Sequence, residues 1–261
     1  MLVAGIDIGS LSAEAVILAD KRIAGYSILP VGAEGRRAAE EALAAALATA
    51  GIPRGELAAI VATGYGRIVV PFADRRVTEI TCHARGAVYL LPDTRTVIDI
   101  GGQDSKVIRV NARGEVEDFA MNDKCAAGTG RFLEVMARAL ETDLEGLSLL
   151  AEAAGKAAPI TSICAVFAES EVVSLIGQGT LREEIALGLC ESIAERVAAL
   201  VHRVGVVEKV AMTGGVAKNR AVVAALTRRL GVPVVVPPEP QIVGALGAAL
   251  IARDLVRQAK R

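Results

Sequence analysis

The sequence predicts an α/β protein made of two lobes with similar topology. Runs rich in Val and Ile end in Gly and are followed by Ala-rich segments of helical periodicity, an alternation typical of α/β folds. The tetrapeptide Ile-Asp-Ile-Gly occurs twice, so that Asp7 in GIDIGS and Asp99 in VIDIGGQDSK occupy equivalent places. This return of the same motif indicates two duplicated sheets, with a ligand cleft between the lobes.

The first lobe begins with a buried strand at 2–9 and continues with an antiparallel partner around 15–18. A helix is predicted at 38–50, because Ala-rich periodicity ends there and Gly51 follows. A further strand is expected at 58–64.

The second lobe repeats this plan. Strands are predicted at 96–102 and 105–110, followed by a turn at NARGE and a strand at VEDFAMN. No Pro-rich or Ser-rich linker separates the halves, which favours a tight hinge. We expect the first lobe to comprise residues 1–95 and 242–261, and the second lobe residues 96–241.

Composition and charge exclude several classes of function. The chain has 261 residues, 52% of them hydrophobic, and its 29 basic residues nearly balance its 30 acidic ones, so we expect no nucleic-acid and no membrane partner. A cytoplasmic location is expected, because the start MLVAGIDIGS lacks the features of a secretory signal. Four widely spaced cysteines then indicate free thiols or metal ligands rather than disulfides.

The two Asp-Gly turns are candidate phosphate sites. Glycine lets backbone N–H groups approach an anion, and nearby hydroxyls add donors. Asp7 and Asp99 are suited to hold a hydrated Mg²⁺ or an attacking water, and Gln103 and Asp104 to assist them. The alternative is that each Asp only caps a tight hairpin. The residues predicted to bind nucleotide at these turns are Gly9, Ser10, Leu11, Ser12, Gly101 and Gly102.

A third motif, VEKVAMTGGVAKNRAVVAAL, predicts the adenosine site. Here a strand ends at Gly214 and Gly215 and a helix is expected to begin near Ala217, where small residues let a nucleoside lie against the backbone. Gln241, further along the chain, is added to the predicted nucleotide contacts. Gly244 lies in the C-terminal helical run and indicates close helix packing.

Two cysteines stand out by their position. Cys125 and Cys164 each precede a run with helical periodicity, at about 126–140 and 165–177. A helix N-terminus stabilises a thiolate. If both are cluster ligands, two thiols are too few for a cubane, and a two-fold dimer would supply four. The alternative is that they are small buried residues, the usual fate of free Cys.

The remaining cysteines and the histidines are predicted to be ordinary helical residues. Cys190 and His202 fall inside continuous helical periods, and a helix that begins near Glu79 accounts for Cys82 and His83. None of them is assigned a role in chemistry.

The order of GIDIGS, VIDIGGQDSK, NDKCAAGTGRF, AVFAESEV and MTGGVAKN resembles the acyl-CoA dehydratase activases, of which the 2-hydroxyglutaryl-CoA dehydratase activators are the best-known members. Their relatives include the ATPase subunits of benzoyl-CoA reductase. The resemblance runs through nearly the whole chain. Its most specific part is NDKCAAGTGRF with a second Cys further on, since the Gly turns alone are typical of the acetate kinase, sugar kinase, Hsp70 and actin superfamily.

The resemblance implies a two-lobed actin/Hsp70/sugar-kinase-like (ribonuclease H-like) ATPase fold that uses ATP and Mg²⁺. It implies a homodimer with one [4Fe-4S] cluster, held by Cys125 and Cys164 of both chains. ATP hydrolysis would drive a low-potential electron into a dehydratase-type or reductase-type iron-sulfur partner. A ferredoxin- or flavodoxin-type protein would supply that electron.

One departure from the family concerns the first phosphate turn. The family turn reads Gly-Ser-Thr and is followed by small residues and a Lys, whereas this chain has Leu11 in place of the hydroxyl and Glu14 in place of the cation. Ser12 restores a hydroxyl nearby. We therefore expect weaker nucleotide affinity or a greater demand for Mg²⁺.

Three other functions remain open on the sequence. Within the family, the chain would reduce a double-cubane cluster protein or serve as a benzoyl-CoA reductase-type subunit. A cluster-free small-molecule kinase shares the phosphate turns but needs a catalytic base beside its acceptor. A non-catalytic ATP sensor would bind nucleotide tightly without turnover.

Overall fold

The computed structural model describes residues 1–162 and 164–259 and contains two five-stranded mixed sheets. The first sheet has the order β3-β2-β1-β4-β5, in which β1, β2 and β3 are antiparallel and β4 is parallel to β1. The half-exposed strand β3 was not predicted, because its buried and exposed residues do not alternate regularly. The strands are β1 (Leu2–Ile8), β2 (Ser12–Ala19), β3 (Arg22–Pro30), β4 (Ile60–Thr63) and β5 (Arg75–Arg76).

The second sheet repeats the connectivity of the first. Its order is β10-β9-β6-β7-β8, again with an antiparallel meander followed by a strand parallel to the first one. The predicted duplication and the two-lobed α/β fold class are therefore confirmed. The strands are β6 (Thr96–Ile100), β7 (Ser105–Val110), β8 (Val116–Asn122), β9 (Val210–Thr213) and β10 (Val234–Val235).

The helices cover both sheets. In the first lobe α1 packs on β2 and β3, and α8 packs on β1. Helix α2 packs against α8 and also contacts β6 and β7, so it touches both lobes. The helices are α1 (Gly35–Ala50), α2 (Glu79–Leu90), α3 (Gly130–Ala139), α4 (Leu144–Ala153), α5 (Ala165–Gly177), α6 (Arg182–Val204), α7 (Arg220–Leu230) and α8 (Val243–Ala259).

Three predicted helix starts were wrong, the first because α1 begins at Gly35 rather than at 38. The helix after Cys125 begins at Gly130 rather than at 126, because residues 126–129 form a turn in which Gly128 has a φ of +86°. The helix expected from Ala217 begins at Arg220, after a 3-10 turn. The side chain of Asn219 caps it by accepting a hydrogen bond from a backbone N–H of its first turn.

The predicted close packing of the C-terminal helix is present. A Cβ added at Gly247 would lie 1.8 Å from the carbonyl oxygen of Cys82 in α2, and a Cβ at Gly244 would lie 2.0 Å from Oδ2 of Asp7. Both glycines are therefore needed for α8 to approach its neighbours. Among the described helices, none combines the length and the apolar character needed to cross a bilayer.

Candidate functional site: a cleft between two phosphate turns

The two Asp-Gly turns have the same internal geometry. The N–H of Gly9 donates to the carbonyl of Ser12, and the N–H of Gly101 donates to the carbonyl of Asp104, each at 2.9 Å. These two N–H groups therefore close the turns and are not free for phosphate. Within the part of the chain that the structure describes, the N–H groups at positions 10, 11, 102 and 103 make no hydrogen bond. Each turn thus presents two adjacent free donors, the arrangement that binds phosphate oxygens.

The tips of the two turns touch. A Cβ placed on Gly102 would lie 2.7 Å from Oγ of Ser10 and 2.6 Å from Cγ of Leu11. A side chain at this position would fit only if the side chains of Ser10 and Leu11 moved, so a glycine lets the turns approach closely where the lobes meet.

Asp99 is held on all sides. Its Oδ1 accepts the hydroxyl of Thr213 at 2.9 Å, and its Oδ2 accepts Nζ of Lys106 at 3.3 Å. Burial raises the pKa of Asp99, but the neighbouring His83 and Lys106, with these hydrogen bonds, outweigh it and hold the pKa below its ordinary value. Lys106 also pairs with Asp104 at 2.8 Å. The second turn therefore carries a fixed, ionised carboxylate.

Asp7, unlike Asp99, has no side-chain donor among the described residues. It is 7% exposed, and no side chain in the described residues donates a hydrogen bond to its carboxylate. Burial raises the pKa of Asp7 well above its ordinary value, and the facing charge of Glu14 raises it further. A carboxylate that is buried, unpaired and open to the cleft is suited to a cation or a polarised water.

Glu14 faces Asp7 across the β1–β2 pair, in the place that Lys106 occupies opposite Asp99. Its carboxyl accepts Nε2 of Gln241 at 2.9 Å, and the same Nε2 donates to Oγ of Ser12 at 3.0 Å. Burial raises the pKa of Glu14 to about 7, although hydrogen bonds to Ser12 and Gln241 oppose the rise. The strand pair of the first turn therefore carries the acidic residue Glu14 at the position where the second carries the basic residue Lys106.

His83 is a site residue that the sequence interpretation missed. It lies in α2, 5% exposed, with Nδ1 at 3.1 Å from Oγ1 of Thr213 and 3.4 Å from Oδ1 of Asp99. Its Nε2 is 3.8 Å from Oδ2 of Asp7. Because its partners are distant in the chain, no local pattern could have indicated this position.

These groups line one cleft of about 890 Å³ between the two sheets, a volume suited to a nucleotide. A wall contributed by α4, with Leu144, Ser148 and Leu149, was not predicted, since its helical pattern carries no ligand motif. The residues predicted for catalysis or nucleotide binding all lie on the cleft: Asp7, Gly9, Ser10, Leu11, Ser12, Asp99, Gly101, Gly102, Gln103, Asp104, Gly214, Gly215 and Gln241.

Cys125 and Cys164 lie outside the cleft lining, and both are exposed. Cys164 is the N-cap residue of α5, as predicted. Cys125 lies in the loop before α3, where its carbonyl accepts Nδ2 of Asn122 at 3.0 Å. The prediction that both thiols stand at a helix start therefore holds for Cys164 alone.

Helix α3 is joined directly to the second phosphate turn. The N–H of Gly130 donates to the carbonyl of Gly101 at 2.9 Å, and the N–H of Arg131 donates to the carbonyl of Gly102 at 2.8 Å. The cysteine loop that precedes α3 is thus connected to the cleft by two backbone hydrogen bonds.

The other two cysteines are buried core residues, as expected. Burial raises the pKa of both the Cys82 and Cys190 thiols to about 12, so they stay protonated near neutral pH.

Taken together, the duplicated sheets and the paired phosphate turns define a two-lobed nucleotide-binding protein of the class that includes ATPases and sugar kinases. Residues 4–252 match the BadF/BadG/BcrA/BcrD ATPase family, and the chain belongs to that family. The resemblance drawn from the motifs is confirmed by this match.

Relatives cover the whole chain. The activator of lactoyl-CoA dehydratase from Anaerotignum propionicum is 49% identical over 99% of this chain and 100% of its own length. The activator of 2-hydroxyisocaproyl-CoA dehydratase from Clostridium difficile, solved with bound ADPNP, has a TM-score of 0.95 and 42% identity, covering 100% of this chain and 97% of that one. A glucokinase of the ROK family from Streptomyces griseus shares the fold alone, with a TM-score of 0.61, 15% identity and coverage of 97% and 100%.

Proposed function

We propose that the protein is an ATP-dependent activator that passes a low-potential electron into a 2-hydroxyacyl-CoA dehydratase-type iron-sulfur partner. The proposal draws on the family, in which similar chains are named activators of CoA dehydratases. The observation that carries it is the pair of hydrogen bonds from α3 to the carbonyls of Gly101 and Gly102, because they connect the phosphate turn to the Cys125 loop.

ATP is proposed to bind with its phosphates at the free N–H groups of the two turns. Gly214 and Gly215 leave room for the nucleoside, and Gln241 braces the first turn through Ser12. Asp7 is the better placed carboxylate for Mg²⁺, since Asp99 is already paired with Lys106 and Thr213. Gln103 and Asp104 lie where an attacking water could be oriented.

Cys125 and Cys164 are proposed to hold the cluster. Their thiols are exposed, and Cys164 stands at the positive end of a helix dipole, both of which fit an anionic cluster at the surface. A [4Fe-4S] cluster, when bound, would supply one-electron transfer. Since one chain offers two such thiols, the complete ligand set needs a homodimer.

The surface beside Cys164 supports the homodimer. On α5 the side chains of Val166, Phe167 and Val173 are 68%, 69% and 59% exposed. Large apolar side chains clustered on one exposed helix are typical of an interface. The proposed two-fold axis therefore passes beside α5.

The coupling of hydrolysis to electron transfer is proposed to run through α3. Loss of the γ-phosphate would change the position of the turn at Gly101 and Gly102 and, through the two hydrogen bonds, the N-terminus of α3. The loop that bears Cys125 would move with it.

Anaerobic purification tests the proposal. The natural chain should form a dimer with about four irons per dimer, as a shared cubane requires. The variants Cys125→Ser and Cys164→Ser should each lose the iron, whereas the buried control Cys190→Ser should keep it. An iron-free natural chain that still activates a dehydratase would refute the proposal.

A further inference from the structure

His83 joins two turns that belong to different lobes. Thr213 uses its hydroxyl hydrogen on Asp99, at 2.9 Å. The contact of 3.1 Å between His83 Nδ1 and Thr213 Oγ1 therefore requires the imidazole to donate from Nδ1. Nε2 of the neutral ring is then an acceptor, so its separation of 3.8 Å from Oδ2 of Asp7, on the first lobe, is a packing contact and not a hydrogen bond. One side chain thus spans the gap between the two carboxylates.

The position of the ring is fixed by its surroundings. His83 is 5% exposed and belongs to α2, the helix that contacts both α8 and the second sheet. On the other side, a Cβ at Gly244 would lie 2.0 Å from Asp7 Oδ2 and 2.9 Å from His83 Nε2. The backbone of α8 therefore closes the space behind the Asp7–His83 contact, and the ring has little freedom to move.

We propose that His83 is a positioning residue for ATP hydrolysis, which sets the separation of Asp7 and Asp99 and makes it depend on the approach of the lobes. The ring of His83 lies 3.4 Å from the carboxylate of Asp99 and 3.8 Å from the carboxylate of Asp7, one in each lobe. Because Asp99 is held by its own hydrogen bonds, the ring of His83 limits how closely Asp7 can approach the second lobe. The inference rests on the proposed ATPase reaction.

The effect should fall on turnover rather than on binding. Misplacing a catalytic group by about 1 Å costs up to about 100-fold in rate. ADP binding depends on the free N–H groups of the turns, which His83 does not contact. We therefore expect His83→Leu to lower kcat for ATP by about 10- to 100-fold, with the Kd for ADP changed by less than about threefold.

Three variants make the test specific. His83→Gln retains an N–H donor for Thr213 and should recover part of the lost kcat. Gly244→Ala, which pushes a methyl group between Asp7 and His83, should lower kcat as His83→Leu does. Cys82→Ala is the matched control, because it removes a buried side chain from the same helix without altering the cleft.

The experiment measures phosphate release, ADP affinity and Tm for the anaerobically purified dimer of each variant. A natural chain that does not hydrolyse ATP would refute the proposed function. With a normal natural chain, an unchanged kcat in a folded His83→Leu or Gly244→Ala variant would overturn the inference. The inference would also be wrong if His83→Leu and Cys82→Ala lost the same amount of Tm and kcat fell no further in His83→Leu than in Cys82→Ala.

Discussion

Replacing Glu14 with Gln should stabilise the protein, and more so at high pH. Burial raises the pKa of this carboxyl from 4.5 to about 7. Because the pKa rises from 4.5 to about 7, ionisation of this carboxyl costs the folded state about 3 kcal/mol. The amide keeps an acceptor for Gln241 and carries no charge. A raised carboxyl pKa favours folding below pH 4.5, and this advantage is lost as the pH rises to about 7.

The change in the free energy of unfolding caused by Glu14→Gln can be measured by urea unfolding. We expect Glu14→Gln to gain about 1 kcal/mol at pH 5 and about 3 kcal/mol at pH 8 over the natural chain, as linkage between these pKa values requires. Glu40→Gln, on exposed α1, removes a carboxylate without burial and should show no such trend. A gain that is equal at both pH values, or absent at pH 8, would show that the charge of Glu14 is not buried as described.

Three further outcomes are expected. Gly102→Ala should weaken ADP binding in a titration, because its methyl group would displace the side chains of Leu11 and Ser10; unchanged affinity would contradict the contact between the turns. Phe167→Glu should yield monomers in analytical ultracentrifugation, and a stable dimer would exclude the α5 surface as the interface. Burial raises the pKa of Glu171, but hydrogen bonds from Thr161 and Ser162 lower it to about 2. Glu171→Gln should therefore destabilise the protein above pH 4.5, and the loss of stability should shrink as the pH falls towards 2. A loss of stability that is the same at every pH would contradict the role given to these hydrogen bonds.

The fold was predictable because its signals are local and repeated. Asp7 and Asp99 each end a buried strand before a Gly turn, and this repeat predicted both sheets and the cleft between them. The start of α3 was not predictable, because it depends on the carbonyls of Gly101 and Gly102 accepting its first N–H groups. Periodicity alone extended the helix too far back towards Cys125.

The site was predictable only where residues follow a strand directly. His83 and the α4 wall enter the cleft through tertiary packing, so their sequence patterns are those of ordinary helices. The strand register shows a difference between the lobes that the motifs did not indicate. Glu14 lies opposite Asp7, whereas Lys106 lies opposite the equivalent Asp99. The expected loss of nucleotide affinity at Glu14 stays a prediction, and the raised pKa of its carboxyl makes it dependent on pH.

The central claim is that nucleotide in the cleft alters the surroundings of Cys125 and Cys164. The most direct test is the rate at which a chelator removes iron from the anaerobically purified dimer, with and without Mg-ATP. We expect a rate that changes at least about tenfold with ATP, which corresponds to about 1.4 kcal/mol in the activation free energy of iron removal. Equal rates, in protein shown to bind ATP and to hold iron through both cysteines, would contradict it.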